Sequence, residues 1–394
     1  MKPRHKFNSI YFETTRRCNL RCPFCMTGSQ RPAVVERSKR AELTHQEIVD
    51  HLFVPAKELS VQTFGFSGGE FLVRSDALDI VRSAADLDYQ VNVVSNGVLL
   101  DDATLRELKA AARGKLVIAF GINALDDEVN EKTRQVEVAQ TEERLAQCAA
   151  MKIRSHVIVT AGKFNLHSLE RTYRWLYEHN IPMNRSPLTR RHCGEAHFRR
   201  NAFTRQDMED HLHPVFRAYP NGYVSYTPFF LSPELHAEVS GGPGQYNVTV
   251  PHNPSIGCWV GSWLAVSAEG DVSPCGILLD ELTAGNIRDK RLPDLIAQSE
   301  IFETILDRTR LKGKCGRCRY KITCGGCRAL AYLETGDFME EDPTCFFEPV
   351  DETTVSEHEA ITNRNFQKYL LQAALSGAYV RPARKAHDHT GTTS

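Results

Sequence analysis

The sequence has no apolar run approaching the roughly 18 residues of a membrane span, and its opening Met1-Lys2-Pro3-Arg4-His5-Lys6-Phe7 lacks the apolar core of a signal peptide. These absences argue against membrane insertion and export, so a cytoplasmic setting is expected. Neither sign of charge is in surplus. With 48 Lys+Arg against 49 Asp+Glu and a net charge of −1, the chain does not fit a nucleic-acid binder that relies on bulk attraction. Internal repeats are absent. The 394 residues, 41% hydrophobic, are enough for one large α/β domain and a smaller one. Cysteine is the exception to this ordinary composition, with twelve. A reducing compartment disfavours disulfides, which makes closely spaced thiols candidate metal ligands.

From residue 8 to about 187, short β-branched or aromatic runs alternate with helical patterns. Strands are expected at Ile10 to Thr14, Gln62 to Phe66, Gln90 to Ser95, Leu116 to Ile122, His156 to Thr160 and Ile181 to Pro187. Helices are expected near 44–59, 75–87, 101–112, 141–152 and 167–179, with Thr44, Asp101 and Asn165 as start signals. Six strands with helical crossovers imply a parallel sheet, two units short of a full eight-stranded barrel. A further helix is expected over Thr204 to Ala218, and Gly241 to Gly244 reads as a loop or linker. The expected organisation is a core over 1–200, a linking or substrate-facing segment over 201–257, a cysteine-rich module over 258–348, and a C-terminal helix with a disordered tail over 349–394.

Cys18, Cys22 and Cys25 lie within eight residues, after the first expected strand. Soft thiolates in such a loop suit an iron–sulfur cluster, zinc or Cu(I); half a zinc site or a pair of buried thiols are the bland alternatives. A [4Fe–4S] cluster ordinarily takes four thiolates, so three leave one iron open to something other than protein. The spacing, with Phe24 before the third cysteine, resembles the radical SAM superfamily. That resemblance implies a partial (β/α)6 TIM-like barrel and a [4Fe–4S] cluster whose open iron binds S-adenosylmethionine (SAM). It also implies reductive cleavage of SAM to a 5′-deoxyadenosyl radical that abstracts hydrogen from a substrate.

Gly68-Gly69-Glu70, at the end of the second strand, matches the family's Gly-Gly-Glu motif, which implies contact with the methionyl ammonium of SAM. Glycines permit close backbone approach, and a carboxylate pairs with an ammonium. Ser95 and Asn96 stand where the family places ribose or carboxylate contacts, although Ser95-Asn96-Gly97 also reads as a plain turn. Gly121-Ile122-Asn123 resembles a stretch usually written Ser-Ile-Asp, with both polar residues changed. Downstream, Arg134 is carried over as a partner for the SAM carboxylate.

Seven cysteines between 258 and 345 exceed the needs of one zinc ion. With Gly270 ahead of Cys275, they resemble the SPASM extension of radical SAM enzymes. The resemblance implies two auxiliary [4Fe–4S] clusters, one on Cys258, Cys275 and Cys327 and the other on Cys315, Cys318, Cys324 and Cys345. Cysteine is absent between 258 and 275, so the first lacks a fourth thiolate; a zinc ribbon is the plain alternative.

Cys148, at helical spacing from Leu145 and Met151, reads as a core residue. Cys193 follows Arg190, Arg191 and His192, where positive charge is expected to lower its pKa; it is a candidate hydrogen donor to a substrate radical, or a simple loop thiol. Six arginines between 185 and 205 face one acid, Glu195, and read either as a carboxylate-binding patch or as a solvated face.

A radical SAM/SPASM enzyme is the leading expectation. Its substrate is a ribosomal peptide or natural-product precursor, and a flavodoxin- or ferredoxin-type protein supplies its electron. The run Cys324-Gly325-Gly326-Cys327 looks most like SPASM enzymes that edit tetrapyrrole side chains, so a tetrapyrrole decarboxylase is the second reading. A non-catalytic zinc or electron-transfer protein is the third. Only 17 residues precede Cys18, so a separate N-terminal peptide-binding domain is not expected.

Overall fold

The computed structural model describes residues 7–39, 41–219, 222–224, 258–261, 263–318, 321 and 324–349. The loop expected at Gly241 to Gly244 and the helix and tail expected after Pro349 lie outside the described residues.

Six strands follow the sequence pattern: β1 (Ser9–Thr15), β2 (Thr63–Gly68), β3 (Gln90–Ser95), β4 (Leu116–Ile122), β5 (Arg154–Ala161) and β6 (Met183–Pro187). Each pairs in parallel with the next. Three short strands, unmarked in the sequence, extend this sheet: β7 (Gly222–Val224) beside β6, β8 (Trp263–Val266) parallel to β1, and β9 (Val272–Ser273) antiparallel to β8. The order is β7-β6-β5-β4-β3-β2-β1-β8-β9. This is a partial, TIM-like α/β barrel, and β8 brings the start of the cysteine-rich module into the barrel sheet.

The helices cover one face. Phe64, Phe66, Val91, Val93, Ile118, Phe120, Val157 and Val159 alternate toward them and are nearly or fully buried. Burial of side chains this large stabilises by about 1.5–3 kcal/mol each. Between them, Tyr11, Gly65, Ser67, Asn92, Ala119, His156 and Asn184 take the opposite face because strand side chains alternate.

Helix ends are chemically marked. Thr44 and Glu47 form a capping box, and Asp101 accepts from Thr104 N. Asn165 stands at the expected start of Leu166–Glu178 but does not cap it: its amide spans to Asn123 O and Thr160 O instead. Pro55 has no N–H to give, and the turn before it widens to a π-turn, Ile48–Phe53; Met208–Leu212 does the same before Pro214. Because the strands are parallel, the segments after β1, β2, β3, β4 and β6 gather at one edge, where such folds build their sites.

Candidate active site

The first cysteine loop leaves β1 at that edge. Cys25 N donates to Cys22 O at 3.2 Å and Gly28 N to Cys25 O at 3.2 Å, a turn that folds the loop back on itself. Cys18 Sγ accepts from Leu20 N at 3.4 Å and from the Asn96 amide at 3.8 Å. Asn96 also donates to Asn19 Oδ1 at 2.8 Å, tying the loop to the end of β3. Burial pushes the Cys18 thiol up to about 11 and raises that of Cys22. Thiolates here therefore require a cation, which a metal core supplies. The three thiols are free.

Beside the loop, Gly69 N donates to Thr15 O at 2.7 Å and Glu70 N to Arg17 O at 2.9 Å. A Cβ at either Gly68 or Gly69 would collide with these carbonyls, and Gly68 holds a φ of +124°, so both positions demand glycine. Glu70 is fully buried; its carboxylate accepts from Asn96 N at 2.8 Å, Ser95 Oγ at 3.1 Å and Leu72 N at 3.3 Å. Burial raises its pKa, against those hydrogen bonds and the charge of Arg134. Arg134 thus belongs to the same site, and its Nε donates to Asn123 Oδ1 at 3.1 Å. Gly68, Gly69, Glu70, Ser95, Asn96 and Arg134 are brought together with Cys18 and Cys22.

Cys258, Cys275 and Cys327 are electrostatic neighbours, and four other cysteines surround one cavity. Cys275 is raised to about 12 by burial and by neighbouring Cys258, and Cys327 is raised by burial, Asp342, Cys258 and Cys275. Cys315, Cys318, Cys324 and Cys345 line one small cavity with Gly325, Gly326 and Phe347. Burial, with Asp342 and Cys315 as negative neighbours, lifts Cys345 to about 12. Asp342 was not legible as a site residue. It is fully buried between the groups, where it accepts from Cys327 N and closes a turn with Thr344. Among the described residues, no three His, Cys, Asp or Glu side chains gather closely enough for one metal ion.

One expectation is corrected. Cys193 is raised to about 11, not lowered, because it is buried; it packs with Phe24 and Leu188. Of the arginines of 185–205, Arg199, Arg200 and Arg205 are exposed, as a solvated face would have them, and the others are drawn into contacts. Arg190 pairs with Glu195 and Glu334, Arg191 with Glu13 and Asp280, Arg199 with Glu195 and Arg205 with Glu209. Arg185 lies over the Phe216 ring and donates to Tyr219 O. Cys148 is a core residue, as expected.

A parallel partial barrel with a three-thiol loop and a Gly-Gly-acid shelf at one edge defines a cofactor-dependent α/β enzyme. A family model for the radical SAM superfamily matches residues 12–176, and one for an iron–sulfur cluster-binding domain, SPASM, matches 258–319. The chain belongs to the radical SAM superfamily, carries a SPASM domain and is an enzyme, which removes the non-catalytic reading. It is similar to the AdoMet-dependent heme synthase of Methanosarcina barkeri, at 28% identity over 86% of this chain and 96% of that protein. It is also similar to the PqqA peptide cyclase of Gluconobacter oxydans, at 25% identity over 86% of this chain and 91% of that one. Among solved structures, Streptococcus suis SuiB bound to S-adenosylmethionine shares the fold with a TM-score of 0.64, at 15% identity, covering 87% of this chain and 78% of that chain. Among the described residues no helix is long and apolar enough to cross a membrane.

Proposed function

We propose that this enzyme binds SAM at the Cys18–Cys22–Cys25 cluster and abstracts hydrogen from a ribosomal peptide or related natural-product precursor held in the barrel. Cys18, Cys22 and Cys25 hold a [4Fe–4S] cluster, and Gly68, Gly69 and Glu70 take the SAM ammonium. Ser95 and Asn96 contact the ribose or carboxylate. When bound, cluster and SAM supply a 5′-deoxyadenosyl radical. The core over 1–200 and the module over 258–348 divide the work, the latter holding two auxiliary [4Fe–4S] clusters on the two cysteine groups. The electron comes from a flavodoxin- or ferredoxin-type protein in the cytoplasm.

The character of the barrel face supports the peptide reading. His156 lines it half-buried, and desolvation pushes its imidazole down to about 4, so it is neutral at pH 7. Its neighbours on that face include Ser67, Asn92, Thr160, Asn184 and Ser186, while Glu13 is already paired with Arg191. Apart from Arg154, which donates to Gln90 Oε1, and Arg134, which is assigned to SAM, these residues offer hydrogen bonds rather than charge, which suits amides better than propionates. A tetrapyrrole side-chain decarboxylase is the second reading, supported by the similarity to the heme synthase along nearly its whole length.

The two separate in one experiment. Reconstituted enzyme, SAM and reductant are mixed with a short peptide encoded beside the gene, or with a propionate-bearing tetrapyrrole. The peptide should accelerate 5′-deoxyadenosine release and change mass; acceleration by the tetrapyrrole, with loss of CO2, would establish the second reading instead.

A further inference from the structure

Arg134 is seated by two residues that depart from the family's Ser-Ile-Asp pattern. Its guanidinium lies over Gly121, where a Cβ would stand 2.9 Å from Nη1 and 3.0 Å from Nη2. Its Nε donates to Asn123 Oδ1 at 3.1 Å. Asn123 is fully buried, and Asn165 Nδ2 holds its carbonyl at 2.6 Å. The Asn123 Nδ2, also buried, has no partner. An aspartate in its place would leave no donor stranded, since it only accepts, and it would offer Arg134 a second oxygen. It would also cancel the cation. Among the described residues no carboxylate forms a contact ion pair with Arg134, and its charge acts on Glu70 and Cys22 from beyond contact distance.

We infer that Gly121 and Asn123 act together as positioning residues that hold Arg134 as a cation with no carboxylate in contact, and that this seat sets the affinity for the carboxylate of SAM. The inference rests on the reading of Arg134 as that carboxylate's partner. The two changes are coupled in physical terms. A serine at 121 would push the guanidinium off its shelf, and an aspartate at 123 would draw it back and neutralise it, so the glycine and the amide are each useful because the other is present.

The test is binding, not turnover. Affinities for SAM and for decarboxylated SAM, which lacks only the carboxylate, are measured by calorimetry on anaerobically reconstituted enzyme. Asn123→Asp is nearly isosteric and should load its iron normally. It should weaken SAM by roughly tenfold while leaving decarboxylated SAM within about twofold. Gly121→Ser should do the same. Equal losses for both ligands, or none for either, would overturn the inference. Arg134→Gln separates it from its premise: if that variant still prefers SAM as the wild type does, Arg134 does not read the carboxylate and both fall. Should Arg134→Gln abolish the preference while Asn123→Asp and Gly121→Ser keep it, the seat alone is wrong.

Discussion

The guanidinium of Arg191 and the carboxylate of Glu13, 178 positions apart, form an ion pair with both side chains almost fully buried. Arg191 also donates to Gly276 O at 2.8 Å and to Asp280 Oδ2 at 2.7 Å, and Asp280 accepts from Arg16 and from His192. Strand β1, the segment after β6 and the residues following Cys275 are thereby tied together. Removing one member leaves a buried charge without its partner. Arg191→Met should destabilise by about 3–5 kcal/mol in chemical unfolding, and adding Glu13→Gln should recover part of the loss. A double variant less stable than Arg191→Met alone would contradict this.

Asp280 makes that network sensitive to acid. Burial pushes its pKa up, but hydrogen bonds from His192 and Arg16 and the charge of Arg191 outweigh burial and hold it well below the usual carboxylate range. A depressed folded-state pKa gives stability that is complete above the unfolded value of about 3.9 and is lost as pH falls through the folded one. Asp280→Asn should therefore lower Tm at pH 7, with the gap to wild type closing below about pH 4. A gap independent of pH would refute the assignment.

The Cys193 thiol, raised to about 11 by burial, stays protonated at neutral pH. An S–H bond rather than a thiolate is what a hydrogen donor needs. Alkylation of Cys193, followed by peptide mapping, should be slow at pH 7 and accelerate toward pH 11; fast labelling at pH 7 would show a low-pKa thiol instead.

The two later cysteine groups should lose iron separately. Cys258→Ala and Cys345→Ala should each remove about four irons per chain and leave the remainder. Either variant losing all iron would show that the groups are not independent sites.

Much of this was legible in the sequence for physical reasons. Strands β1 to β6 show because Phe64, Phe66, Val91 and Val93 alternate toward a buried face, and Cys18, Cys22 and Cys25 show because they are so closely spaced. Strands β7 to β9 did not show, being two to four residues long and held by pairing to neighbours rather than by a pattern of their own. Arg190 and Arg191 looked like part of a patch because Glu13, Asp280 and Glu334, which pair with them, are remote in sequence. Cys193 misled similarly, since burial is invisible in its neighbours. Asp342 carries no local motif, and only folding places it beside Cys327.

The most direct measurement of the central claim is the fate of SAM on the reduced enzyme. Protein reconstituted anaerobically with iron and sulfide is mixed with SAM and dithionite, and 5′-deoxyadenosine and methionine are quantified. The account predicts equimolar release by the wild type and none by Cys22→Ala, a variant that should still retain about eight irons in its auxiliary groups. Wild-type protein that carries its iron and binds SAM, yet yields no 5′-deoxyadenosine on reduction, would contradict it.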